Sequence, residues 1–142
     1  MRIFLLAFLM AINTKAAADD ALCFNNLIDF NICDEAKRIR DDIAPSLPQK
    51  ISANLVFRSI SSVDNSLSLH AMLLYERDAL ENAAASGGLN MEEVEAQMYL
   101  TTKNYVCTSP ELEAFINLGG KLSYIYQFQN GKLLYNFKIG SC

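Results

Sequence analysis

A chain of 142 residues, 51% of them apolar and with a formal charge of −4, holds enough hydrophobic material for one packed domain. Sixteen acidic residues against twelve basic ones argue against nucleic acid or an anionic membrane surface as a partner. One histidine and four cysteines without C-x-x-C spacing supply neither a metal-ligand set nor a nucleophile with its base.

The chain opens as a secretory leader. Met1-Arg2 is a short positive start, Ile3 to Ile12 an unbroken apolar run, and Ala16-Ala17-Ala18 a small-residue exit. The run is too short to cross a bilayer as a helix, which needs about 20 residues. Residues 1–18 are therefore expected to be a signal peptide cleaved near Ala18, leaving a single exported domain over 19–142. Cys23 stands in no lipoprotein acceptor context and no second apolar stretch follows, so neither a membrane span nor a lipid anchor is expected. The compartment is the bacterial periplasm or the exterior.

In that oxidising setting, Cys23, Cys33, Cys107 and Cys142 read as two disulfides, with three connectivities open. Pairing Cys23 with Cys33 is favoured by short separation, and Cys107 with Cys142 because it ties down the last strand. Bridged Cα atoms must lie within about 7 Å. Either the helix after Cys107 crosses the strands steeply, or residues 140–142 curl across it.

Residues 24–44 read as an amphipathic helix with Leu27, Ile28, Ile32, Ala36, Ile39 and Ile43 on one side, the charged run Asp34–Asp42 on the other, and a break near 31–34. Pro45 and Pro48 end it. From Ile51 the period becomes two: Ile51, Ala53, Leu55 and Phe57, then Leu67, Leu69, Ala71, Leu73 and Tyr75, predicting two strands joined by a turn over 61–66. Ile60 is out of phase with Phe57, which predicts a bulge near Arg58-Ser59.

A helix over Glu76–Ser86 stops at Gly87-Gly88. A second starts behind Asn90, where Asn90 and Glu93 resemble a capping box, with Met91, Val94, Met98, Thr101 and Tyr105 on one side. Ser109-Pro110 opens a short third helix that ends at Gly119-Gly120 and buries Leu112, Phe115 and Ile116. Leu122–Gln129 and Lys132–Ile139 then alternate around Asn130-Gly131, a pair that favours a type I′ hairpin. That register sets Phe128 against Leu133, Tyr126 against Tyr135, Tyr124 against Phe137 and Leu122 against Ile139. The expected fold is α+β: a four-stranded antiparallel sheet of two hairpins with helices packed on one face, in the order α-β-β-α-α-β-β.

Few residues point to chemistry. His70 falls on the strand face opposite Leu69 and Ala71, near Arg58, and one titratable histidine is no catalytic constellation. Glu92, Glu93 and Glu95, like Glu76, Asp78 and Glu81, stand in first helical turns, where negative charge offsets the macrodipole. No phosphate loop, dinucleotide fingerprint or calcium loop occurs, so no catalytic residue, cofactor or metal is assigned. Tyr124, Tyr126 and Tyr135 with Phe128 and Phe137 form an aromatic stripe that the helices should cover, or that would otherwise line a small-ligand pocket. The opposite, wetter face offers Ile125, Gln127, Leu134 and Asn136, with His70 and Arg58, as a surface that docks another protein, and an exposed edge strand offers strand addition.

The string Cys107, Pro110, Gly120, Tyr124, Tyr126, Asn130-Gly131, Phe137 and Cys142 resembles small exported proteins of Gram-negative bacteria, among them a group of quorum-sensing-regulated virulence factors. The resemblance implies an α+β fold and a non-enzymatic envelope or secreted role, and carries over no functional residues. The reading is an exported, non-enzymatic interaction factor, accessory, chaperone-like or secretion-associated, whose partner is another envelope or secreted protein. The alternatives are an inhibitor or immunity protein that blocks a hydrolase, and a small-ligand binder. Oligomeric state is not legible.

Overall fold

The computed structural model describes residues 21–25 and 28–142; the leader and Leu27 lie outside them. A helix beginning at residue 24 is not what forms. Phe24–Asn25 (β1) and Phe30–Asn31 (β2) pair as a small antiparallel ribbon, and α1 starts only at Ile32, running to Ile43. The physical reason is Asn31, whose side-chain oxygen accepts the N–H groups of Cys33 and Asp34 at 3.0 and 3.1 Å and so caps the helix there. Ile28, expected on the buried side, is exposed, whereas Ile32, Ala36 and Ile39 are buried against the sheet. The Cys23–Cys33 disulfide ties the ribbon to the first turn of α1.

The sheet has five strands, not four: β3 (Gln49–Ser52), β4 (Leu55–Val63), β5 (Ser66–Leu73), β6 (Lys121–Phe128) and β7 (Leu133–Ile139), in that spatial order. The apolar alternation through Ile51, Ala53, Leu55 and Phe57 hides a reversal at Ala53-Asn54, where the Asn54 N–H donates to the Ser52 hydroxyl and β3 folds back on β4. The bulge expected near Arg58 is present: Phe57 faces Ala71 and Ser59 faces His70, leaving Arg58 as the extra residue. The turn after β4 is tighter than expected, with Val63 already opposite Ser66 and Asp64 in the left-handed region at φ +50°.

Nor is the sheet wholly antiparallel. Its two hairpins meet at β5 and β6, which run parallel from Ser66 opposite Lys121 to Leu73 opposite Phe128. Parallel neighbours need a long crossover. Here it contains α2 (Arg77–Ser86), α3 (Met91–Thr108) and α4 (Pro110–Asn117), three helices where the order above allowed two. Asn65 fixes the junction: its side-chain N–H donates to the Gly119 carbonyl at 2.9 Å and its own carbonyl accepts the Lys121 N–H at 2.9 Å.

The last hairpin differs at its tip. Only Gly131 has positive φ (+82°), whereas a type I′ turn needs it at Asn130 as well. The Phe128 N–H donates to the Lys132 carbonyl, so the loop is Gln129-Asn130-Gly131, one residue longer than expected. Gln127 then faces Leu133, and a bulge restores the expected pairs of Tyr126 with Tyr135, Tyr124 with Phe137 and Leu122 with Ile139. The bulge exchanges two leucines. Leu133, expected in the core, is 54% exposed; Leu134, expected on the wet face, is 7% exposed and belongs to the core cluster.

The core lies on one face of the sheet, where Leu67, Leu69, Leu122, Tyr124, Phe128 and Ile139 meet Ile39, Val106 and Phe115 from the helices. Asn90 and Glu93 form the full capping box of α3. Ser109 stands at the entrance of α4, but its hydroxyl donates back to the Tyr105 carbonyl and does not cap the new helix. Cys107, in the last turn of α3, is bridged to Cys142, which the chain reaches after leaving β7 at Ile139.

Candidate functional site

Two surfaces stand out. The first is an apolar groove of about 210 Å³ between α3 and the β3–β4 end of the sheet. Its floor is Leu55, Phe57, Tyr124 and Tyr126, and its rim is Ile51 from the edge strand and Tyr105 from α3, both about half exposed. Edge strand and helix flank the groove, whose floor is half-buried at Leu55 and Phe57 and buried at Tyr124 and Tyr126.

Two of the hydroxyls lining this groove, those of Thr102 and Tyr126, are paired. The Thr102 hydroxyl donates to the Met98 carbonyl at 2.7 Å and therefore accepts the Tyr126 O–H at 2.9 Å. Outside the groove, the Tyr135 hydroxyl donates to the Met91 carbonyl at 3.1 Å. Burial pushes the Tyr126 hydroxyl above the ordinary tyrosine range, against the Thr102 hydrogen bond, and pushes Tyr124 up as well, with Tyr105 and Tyr126 adding to it. All stay neutral at physiological pH. The aromatic stripe is thus mostly core under α3, and where it surfaces it offers area, not a base or a nucleophile. Among the described residues no three potential metal ligands cluster, and no helix is long and apolar enough to cross a membrane.

The second surface is the other face of the sheet, on which no described helix packs. Cross-strand pairing sets its side chains in rows: Ser61, Ser68, Ser123 and Lys138; Ser59, His70, Ile125 and Asn136; Val56, Met72, Gln127 and Leu133. Four of the expected binding residues, His70, Ile125, Gln127 and Asn136, are brought together here. Arg58 is exposed in the bulge of β4 beside them, and Leu134 is withdrawn into the core. The sequence reading offered Tyr124 and Tyr126 as pocket residues but missed the rim of the groove, since Ile51 looked like one more inward strand residue and Tyr105 like part of a buried helix side. Only the gap between their two elements exposes them.

No protein-family model matches this chain, and no curated protein is similar to it in sequence. Solved structures are similar in fold. A Pseudomonas aeruginosa protein classed as secreted superposes with a TM-score of 0.62 at 10% identity, over 76% of this chain and 88% of that one. EpsS, the pilotin of the Vibrio vulnificus type 2 secretion system, gives 0.58 at 16% identity over 76% and 86%. AspS, a type II secretion pilotin of Vibrio cholerae, gives 0.50 at 10% over 76% and 87%. The likeness is one of fold. It agrees with the α+β fold that the resemblance drawn above implies and says nothing of quorum-sensing regulation.

Proposed function

We propose that this chain is a secretion-associated accessory protein of the bacterial envelope, which holds an apolar segment of another exported or envelope protein and performs no covalent chemistry. The observation that carries the reading is the apolar groove: about 210 Å³, open at the surface, rimmed by Ile51 and Tyr105, with the Thr102 and Tyr126 hydroxyls already paired to each other. A slot of that kind suits side-chain anchors of a polypeptide. The fold likeness to two type II secretion pilotins and a protein classed as secreted supports the setting, as do two disulfides, which persist in oxidising compartments. In this reading residues 1–18 are removed on export and the mature protein, starting at Asp19, works in the periplasm or outside the cell.

Photo-cross-linking tests it. A benzophenone side chain at Thr101, an exposed position lining the groove, is expected to trap one dominant envelope adduct in the native host. Mass spectrometry should identify that adduct as a component or client of a secretion apparatus, and Ile51→Glu should abolish it. An adduct with a hydrolase whose activity falls on binding, or one indifferent to Ile51→Glu, would overturn the reading.

A further inference from the structure

The charges of this acidic protein are sorted by element. None of the five strands of the sheet contains an Asp or Glu; the carboxylates lie in the helices, turns and N-terminal part of the chain. The strands carry Lys50, Arg58, Lys121 and Lys138. Lys50 faces Val56, Lys138 faces Ser123 and Lys121 is next to Ser66, so all three share the open face, with Arg58 exposed in the bulge beside them.

The two sets of cations also differ in how they are satisfied. Four of the five cations in the described helices, Lys37, Arg38, Arg40 and Arg77, are each within ion-pair distance of a carboxylate, Lys103 being the exception. Among the described residues none of the four sheet cations has such a partner. Lys121 and Lys138 further share a cleft of about 230 Å³ with the hydroxyls of Ser66 and Ser123. Between the cations the face offers Val56, Met72 and Ile125 for apolar contact and Gln127 and Asn136 for hydrogen bonds.

The geometry points to the open sheet face as the docking surface for an acidic, partly apolar polypeptide segment of a partner protein, separate from the groove. Complementary charge would supply orientation and association rate, and the central apolar row would supply contact area. The size of the anion is limited by the rest of the molecule. The chain as a whole is acidic, so an extended polyanion such as a membrane or nucleic acid that reaches past the sheet face meets net repulsion that a short segment on the face escapes.

Amide shifts of the isotope-labelled mature protein, titrated with a synthetic (Glu-Val)6 peptide, test this. Saturable shifts are expected at His70, Lys121, Ile125 and Lys138, with Thr101 and Tyr105 unmoved and no response to (Lys-Val)6. The double charge reversal Lys121→Glu/Lys138→Glu, at two exposed positions, should weaken binding at least tenfold while leaving the remaining amide spectrum folded. Ile51→Glu should leave the affinity unchanged, so that failure of the groove and failure of the face are read separately. The proposal is overturned by absent or non-saturable shifts, or by equal shifts with the cationic peptide. It is also overturned if phosphatidylglycerol vesicles bind the face where the peptide does not. Self-association in sedimentation that the same charge reversal abolishes would likewise overturn it, by assigning the face to a second copy of this chain.

Discussion

Gly119 and Gly120 sit side by side at the exit of α4 and should fail for different reasons when changed to alanine. Gly119 adopts φ +100° with nothing within 4 Å of the place an alanine methyl would take, while Gly120 has ordinary φ but a Cβ there would lie 2.4 to 2.6 Å from three ring atoms of Phe115. The Phe115 ring is 1% exposed and packed among the strands, so it cannot swing away freely. Overpacking a core position costs about 1–3 kcal/mol, and the entropy that alanine removes from the unfolded chain returns about 0.4–1 kcal/mol. Gly120→Ala should therefore lose about 1–2 kcal/mol net, or roughly 4–8 °C in Tm for a domain of this size. Denaturant unfolding of Gly120→Ala, Phe115→Leu and the double variant measures it, because Leu removes the ring atoms nearest the new methyl. The alanine should then cost at least about 0.5 kcal/mol less in the Phe115→Leu background. Gly119→Ala should cost about 1–2 kcal/mol from left-handed strain alone and show no such rescue. A Gly120→Ala protein as stable as the parent, or one whose loss is unchanged by Phe115→Leu, would refute the reasoning.

Other outcomes follow from the same structure. Removing the Thr102–Tyr126 hydrogen bond by Thr102→Val should cost about 1–2 kcal/mol, because it leaves the buried Tyr126 hydroxyl unpaired, and Tyr126→Phe about 1 kcal/mol, because the Thr102 hydroxyl still donates to the Met98 carbonyl, with the double variant costing less than the sum; a double-mutant cycle by chemical denaturation reads the coupling. Replacing Cys107 and Cys142 by alanine opens a link across 35 residues and should cost about 4 kcal/mol on the chain-entropy scale, against about 2.7 kcal/mol for the 10-residue link of Cys23 and Cys33; thermal melts of the two variants should preserve that rank. Tyr124 and Tyr126 are held protonated above the ordinary value of 10.0 by burial, so above that pH the unfolded chain binds fewer protons than the folded one. Stability should hold up to about pH 10 and fall as pH rises further, and Tyr126→Phe should make the fall shallower in urea titrations.

Several helix ends were legible because each needs only a few neighbours, whereas both hairpin turns and the Ser109 cap differed from expectation. Asn90 with Glu93, Pro110 opening α4 and Gly87-Gly88 closing α2 stand where the residues predict them. So do the inward sets Leu67, Leu69, Ala71 and Leu73, and Leu122, Tyr124 and Tyr126, because strand alternation is a property of the backbone itself. The bulge at Arg58 was legible for the same reason, as a break in that alternation.

What the alternation does not carry is the partner of each strand. The stretch from Ile51 to Phe57 keeps its period across the reversal at Ala53-Asn54, so it read as one strand and the edge strand β3 went unseen. The parallel contact of β5 with β6 joins residues far apart in the chain and depends on where three helices deliver the strand after Gly120. Leu133 and Leu134 exchanged roles because a three-residue loop and a bulge displaced the register by one at the tip and restored it two residues on. Composition and spacing thus determined an acidic α+β chain with these helices, caps and inward faces. Tertiary packing alone decided the gap between β3 and α3 that opens the groove, and the strand order that gathers His70, Ile125, Lys121 and Lys138 on one carboxylate-free face, since both depend on how distant elements meet.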